Sequence, residues 1–149
     1  MRAVVQRVSS SSVDIEEKTA AEIRKGLLVL AGFHESDSGA DIEYIINKIL
    51  GLRIFEDAEG RMNQSVTDVR GEVLLISQFT LYGDARKGNR PSFGEAMQFE
   101  KAEIFYKDFI EGFRIKYPLV SQGVFGADMK VSLVNDGPVT ILLDSNRTF

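Results

Sequence analysis

The stretch ISQFTLYGD, Ile76 to Asp84, gathers Ser77, Gln78 and Thr80 where the alternation of a strand asks for fewer polar side chains. Two readings are open. Either the strand leaves the sheet here and neighbouring backbone satisfies the polar groups, or a site lies at its C-terminal end. In the second case free backbone N–H groups stabilise an oxyanion, and Ser77 or Thr80 positions a substrate. Thr80 is a weak nucleophile unless a base stands beside it, so positioning is its expected role. His34 is the only histidine, hence the only imidazole base. It follows a strand in the acidic segment FHESDSGAD and reads as a surface residue. There is no cysteine, and the carboxylates are dispersed, so no metal site is expected. The chain has neither a Walker loop nor a G-x-G-x-x-G after a strand, which argues against nucleotide hydrolysis and dinucleotide redox chemistry.

Three other stretches stand out. VFGADM, Val124 to Met129, puts an aromatic ring and a thioether just before a strand. Such residues are usually core, but Phe125 and Met129 also suit the faces of a purine base. DARKGNRPSF holds the densest basic cluster, Arg86, Lys87 and Arg90. With a formal net charge of −4, the chain lacks the basic stripe of a general nucleic-acid binder. A nucleic-acid partner would be held locally, at an end or over a few nucleotides. VNDGPVTILL, Val134 to Leu143, joins two strand-like runs through Asn135, Asp136, Gly137 and Pro138. A hairpin turn accounts for the first three of these and leaves the proline without a purpose.

The elements that must position these residues follow from periodicity. RAVVQRVSS alternates as a strand and SSVDIEE reads as a second short one, while GLLVLAGF is a strand covered on both faces. Ile42, Ile45, Ile46, Ile49 and Leu50 recur at helical spacing, with Ser38 and Asp41 as the start signal. FEDAEGRMN is a turn or hairpin, and Gly71 to Leu81 reads as the strongest central strand. A second helix starts near Met97, with an apolar stripe of Phe99, Ala102, Phe105, Tyr106, Phe109, Ile110 and Phe113. The rest closes the sheet. The expectation is one α+β domain over residues 1–149, a mixed and strongly curved, barrel-like sheet with two main helices packed on it. Hydrophobic residues at 44% and charged residues at 27% of 149 suit one soluble domain with a sizeable core. No apolar run reaches the roughly 20 residues of a membrane span, and no signal-peptide h-region opens the chain. The lack of cysteine fits a cytoplasmic protein.

The segments SQFTLYGD, RPSF, GADM with VSLVNDGPVT, and the opening RAVVQRVSSSSV together resemble the D-aminoacyl-tRNA deacylases, formerly D-tyrosyl-tRNA deacylases. The resemblance runs in order from Met1 to about Leu143. Its most specific parts are Ser-Gln-x-Thr-Leu at Ser77 to Leu81 and Asn-x-Gly-Pro-Val-Thr at Asn135 to Thr140. It implies a cytoplasmic homodimer that needs no cofactor or metal and hydrolyses the ester between a D-amino acid, or glycine, and the terminal adenosine of tRNA. By the same resemblance, Ser77, Gln78, Phe79 and Thr80 line the pocket around the aminoacyl group and supply backbone donors. Phe125 and Met129 hold the terminal adenine. Gly137 and Pro138, joined by a cis bond, reach into the partner's site to exclude L-substrates, and Arg7 braces them. No side-chain nucleophile is implied; the substrate's 2′-hydroxyl assists water. Two other readings stay open on the residues alone. One is an esterase for small substrates with Thr80 as nucleophile, the other a non-catalytic module that binds the tRNA acceptor end or adenine nucleotides, as a proofreading accessory.

Overall fold

The computed structural model describes residues 1–149. Its longest strands are β1 (Arg2–Ile15) and β8 (Lys130–Asp144), and each runs the length of the sheet. β1 pairs antiparallel with β8 on one edge; on the other its first half pairs with β3 (Gly26–Gly32) and its second half with β2 (Lys18–Ile23). β3 continues in parallel to β6 (Glu72–Ser77), and β6 to β7 (Val120–Gln122). The sheet is therefore mixed. It curls until β2 lies near β6 and β7, giving the barrel-like form expected. Helix α1 (Gly39–Gly51) and helix α2 (Phe99–Lys116) pack on it, and β4 (Phe55–Glu56) with β5 (Met62–Gln64) forms the expected hairpin.

The continuous apolar runs are explained by cover on both faces. Leu27, Val29 and Ala31 of β3 and Val73 and Leu75 of β6 face the helices, in a core with Ile45, Ile46, Ile49, Phe109 and Phe113. Leu28, Leu74 and Ile76 point into the curl of the sheet with Val8, Val13 and Ile23. β1 serves both cores. Ala3 and Val5 face the helices, and Val13 faces the curl. The change of phase is made by a bulge, because Val8 pairs with Asn135 and Ser10 with Val134, which leaves Ser9 unmatched. SSVDIEE is thus not a separate strand but the continuation of β1.

Other boundaries also move. The Asp41 carboxylate accepts from the Ser38 N–H and Oγ, both at 2.8 Å, so the start signal of α1 is where the sequence places it. α2 begins two residues later than expected. Met97 donates its N–H to the Phe33 carbonyl at 2.9 Å, an extended contact that a first helical turn would break. Ala102, Tyr106, Phe109, Ile110 and Phe113 are buried, but Phe99 is 58% exposed. β6 ends at Ser77, not Leu81. Gln78 donates to the Ala31 carbonyl at 2.7 Å, and β3 has one residue left to pair, so the chain turns into a 3₁₀ turn over Phe79–Tyr82.

The largest correction concerns VNDGPVTILL. It is not a hairpin. β8 stays on β1 throughout: Asn135 pairs with Val8 and Thr140 with Gln6, so Asp136, Gly137, Pro138 and Val139 stand opposite Arg7 alone. Four residues against one form a wide bulge. The Gly137–Pro138 bond within it is cis, and Gly137 has φ +153°, a backbone that favours glycine.

The parallel pairing of β3 with β6 rests on Gly26. A Cβ there would lie 1.8 Å from the Glu72 carbonyl oxygen, which is backbone and cannot yield. Gly26→Ala should lower stability by about 3 kcal/mol or prevent folding, whereas Gly51→Ala, with open space around it, should be neutral or stabilise by about 0.5 kcal/mol. Urea denaturation of the two variants checks this; equal midpoints would refute it.

Candidate active site

The end of β6 opens onto a cavity of about 560 Å³. Ser77, Gln78 and Phe79 line one wall, while Phe125 and Met129 line the other. The structure thus brings together five of the residues singled out in the sequence. Thr80 lies at the edge: Gln78 Nε2 donates to its Oγ1 at 2.5 Å. That bond uses a Thr80 lone pair and leaves its O–H free to donate outward. Leu81 is the first residue of the 3₁₀ turn to find an acceptor within it, the Gln78 carbonyl, so the Phe79 and Thr80 N–H groups precede the first such bond. The strand end therefore offers an amide, a hydroxyl and two backbone N–H groups in consecutive residues.

The far wall is built by glycine. A Cβ on Gly123 would lie 2.6 Å from Met129 Sδ and 2.9 Å from Ile76 Cδ1, so a side chain there would push the thioether off the strand. Gly126, at φ +75°, turns the chain over the Phe99 ring. Phe125 is held between two rings, 5.1 Å from Phe99 and 5.7 Å from Tyr106, centroid to centroid. The buried Tyr106 hydroxyl donates to the Leu75 carbonyl at 2.8 Å, tying this aromatic group to β6. Burial holds that hydroxyl protonated, well above the usual tyrosine range.

Phe93 and Phe99 also line the cavity, and sequence reasoning missed both. Phe99 falls in the apolar stripe expected for α2, and Phe93 falls in the segment DARKGNRPSF, where the sequence draws attention only to the basic cluster. Phe93 stands edge-on to Phe79, with centroids 5.1 Å apart. The available signal was an aromatic residue in a glycine- and proline-rich loop, a poor place for core.

Arg7, Gly137 and Pro138 do not line this cavity. They form a second cluster on the ladder of β1 and β8. Arg7 is 6% exposed; its Nε donates to the Asp136 carbonyl and its Nη1 to the Ile54 carbonyl, both at 2.7 Å. The Asn135 side chain spans the same bulge. It donates from Nδ2 to the Val139 carbonyl at 3.1 Å and accepts the Val139 N–H at 2.7 Å on Oδ1. The bulge is therefore clamped at both ends, while Gly137 and Pro138 stay exposed at its tip.

His34 is outside the cavity. Its Nδ1 contacts Ser36 Oγ at 2.8 Å and its ring tilts against Tyr82, so it offers no base to Thr80. No group of three histidines, carboxylates or cysteines is placed to hold a metal ion.

Comparison with known proteins adds to this geometry. The family model described as D-Tyr-tRNA(Tyr) deacylase matches residues 4–144. Among curated relatives, the D-aminoacyl-tRNA deacylase of Clostridium acetobutylicum is 56% identical over 149 residues, covering 100% of both chains. That of Thermosipho melanesiensis is 54% identical over 150 residues, again with 100% of both covered. A solved structure called c-Myc DNA Unwinding Element Binding Protein shares 45% identity at a TM-score of 0.93, covering 97% of this chain and 98% of that one. A probable eukaryotic D-amino acid tRNA deacylase shares the fold at 16% identity and a TM-score of 0.82, covering 95% of this chain and 97% of that one. A family match across residues 4–144, nearly the whole length, leads to one conclusion: this chain belongs to the D-Tyr-tRNA(Tyr) deacylase family.

Proposed function

We propose that the protein hydrolyses the ester of D-aminoacyl-tRNA, and of glycyl-tRNA, to free amino acid and tRNA, a proofreading step based on chirality. The observation that carries this reading is the cavity itself, where Ser77, Gln78 and Phe79 at the end of β6 face the aromatic and thioether wall. The terminal adenine lies against Phe125 and Met129, and the ester carbonyl lies toward the N–H groups of Phe79 and Thr80. Those donors stabilise the developing oxyanion without reorganising. Gln78 fixes the Thr80 hydroxyl, which positions the substrate. With no base near Thr80, water is the nucleophile, assisted by the substrate's 2′-hydroxyl. An aminoacyl ester is already activated, so little more is required. The whole chain acts as one domain, in the cytoplasm, without cofactor or metal.

Selectivity is the harder task. Rejecting an L-substrate by about 10⁴-fold takes about 5.5 kcal/mol of differential transition-state binding. Side chains vary, so a contact that occupies the L position works better than one that grips the D side chain. The Gly137–Pro138 tip, contributed by a second subunit, is that contact, and it admits glycine because glycine has nothing to exclude. Two features support the cross-subunit reading. The tip is exposed and clamped by Arg7 and Asn135 but lies outside its own chain's cavity. Leu133, Val134 and Leu142 of β8 are exposed apolar residues beside it, as an interface between copies requires.

Release of D-tyrosine, L-tyrosine and glycine from their charged tRNAs tests the activity: D-tyrosine and glycine should be freed and L-tyrosine retained. Equal D and L rates would refute the proposal. Thr80→Ala should lower kcat about tenfold, the worth of one hydrogen bond. Loss of all turnover would instead make Thr80 the nucleophile. Arg7→Ala leaves the Asp136 and Ile54 carbonyls without their donor, so stability should fall by about 3 kcal/mol. The D/L ratio should fall with it at a temperature where the variant is folded. A folded variant with an unchanged ratio would count against the bulge as the selective element.

A further inference from the structure

The loop from Asp84 to Ser92 leaves the rim of the cavity and returns to it. It is closed at its base by two backbone hydrogen bonds, Asp84 N–H to the Ser92 carbonyl at 2.7 Å and the reverse at 2.8 Å. Phe93, the next residue, stands against Phe79 and lines the cavity. The base of the loop is therefore fixed to the mouth of the site. Its tip holds Lys87, Gly88, Asn89 and Arg90, all exposed, and Gly88 at φ +89° allows the reversal.

The charges in this loop are sorted. Asp84 is taken by Arg86, through Nε at 2.8 Å and Nη2 at 2.7 Å, and the Arg86 contacts hold the Asp84 carboxyl down at about 2. Asp84 is thus ionised and engaged at any working pH, and Glu95 near Arg86 is the only other carboxylate of the segment. Lys87 and Arg90 make no ion pair. Most other cations of the chain are committed. Lys101, Lys107, Arg114 and Lys116 each pair with a carboxylate, while Lys25, Lys48 and Arg147 lie over aromatic rings. A net charge of −4 makes two free cations at the mouth of an aromatic cavity a local exception.

We propose that Lys87 and Arg90 bind the phosphates of the single-stranded RNA that leads into the cavity, holding the nucleotides just before the terminal adenosine. This deepens the deacylase reading and rests on its placing of the adenine. The cavity would take the last base by stacking, which is tolerant of sequence, and the loop would supply positive charge beside its mouth. Affinity for the RNA end would then be separable from affinity for the nucleoside.

The test is binding of a short fluorescent single-stranded RNA ending in a 3′ adenosine, measured by anisotropy across salt. Two phosphate contacts on a single strand contribute about 1.4 to the slope of log affinity against log salt, or about sevenfold between roughly 50 and 200 mM. Lys87→Gln with Arg90→Gln should remove that share. Lys18→Gln with Arg70→Gln, the same charge change on residues outside both the loop and the cavity lining, should not. Adenosine alone should bind both variants as it binds the wild type. An unchanged slope in the loop variant would overturn the proposal, as would an equal fall in the control pair. Equal weakening toward adenosine would also overturn it, by making the loop a wall of the cavity. Failure of the deacylase reading shows separately, as wild-type protein that binds the RNA in this way yet releases no D-tyrosine from its tRNA.

Discussion

The pairing of β1 with β8 is the constraint on which the molecule depends. These are the longest strands, and β1 is also the partner of β2 and β3, so any slip in their register would displace the whole sheet. The ladder has one large interruption, opposite Arg7. A four-residue loop inside a strand would normally leave backbone groups unpaired at real cost. Here the Asn135 amide bonds both backbone groups of Val139, and the Arg7 guanidinium takes the Asp136 carbonyl. Two side chains replace the missing rungs, so the strand resumes in register at Thr140. The interruption is built in, not tolerated.

The cavity depends on the same sheet in another way. β6 is central, parallel to β3 and β7, and its apolar residues are shared between two cores. It stops because β3 stops. A strand that ends in the middle of a sheet leaves polar groups pointing out of its C-terminal edge, where open α/β sheets commonly bind ligands. The flanking aromatic wall then depends on two glycines, Gly123 and Gly126, which let Met129 and Phe99 approach closely. Little of the site is catalytic machinery in the sense of an acid, a base or a nucleophile. It is a shaped surface with a few fixed donors.

Much of this was legible in the sequence. The helical spacing of Ile42, Ile45, Ile46 and Ile49 and the Ser38–Asp41 start signal gave α1 closely, because both are local. The unusual polarity of Ser77, Gln78 and Thr80 pointed to a strand end, although alternation alone carried the strand four residues too far. What ended it was the length of β3, a long-range fact. The stretch around Gly137 misled for the same reason. Asn, Asp and Gly between two apolar runs are ordinary hairpin residues, and only the presence of β1 along both runs turns them into a bulge. Phe93 and Phe99 were missed because the cavity is assembled from four separate segments, and no periodicity reports such a meeting. Family resemblance supplied Arg7, whose burial beside Asp136 no pattern in its own strand would suggest.

β8 has a further consequence. It pairs with β1 on one side only, so its other side presents a row of unpaired backbone groups along 15 residues, several of them apolar and exposed. A flat strand of that kind is a template for runaway stacking of chains into fibrils. The bulge breaks that row near its middle. Pro138 removes a donor there, and the four looped residues spoil the straight edge that an incoming strand would need. The bulge proposed to probe the substrate is thus also an obstacle to strand addition along this edge. Straightening it by deletion would expose the chain to aggregation as well as altering the site.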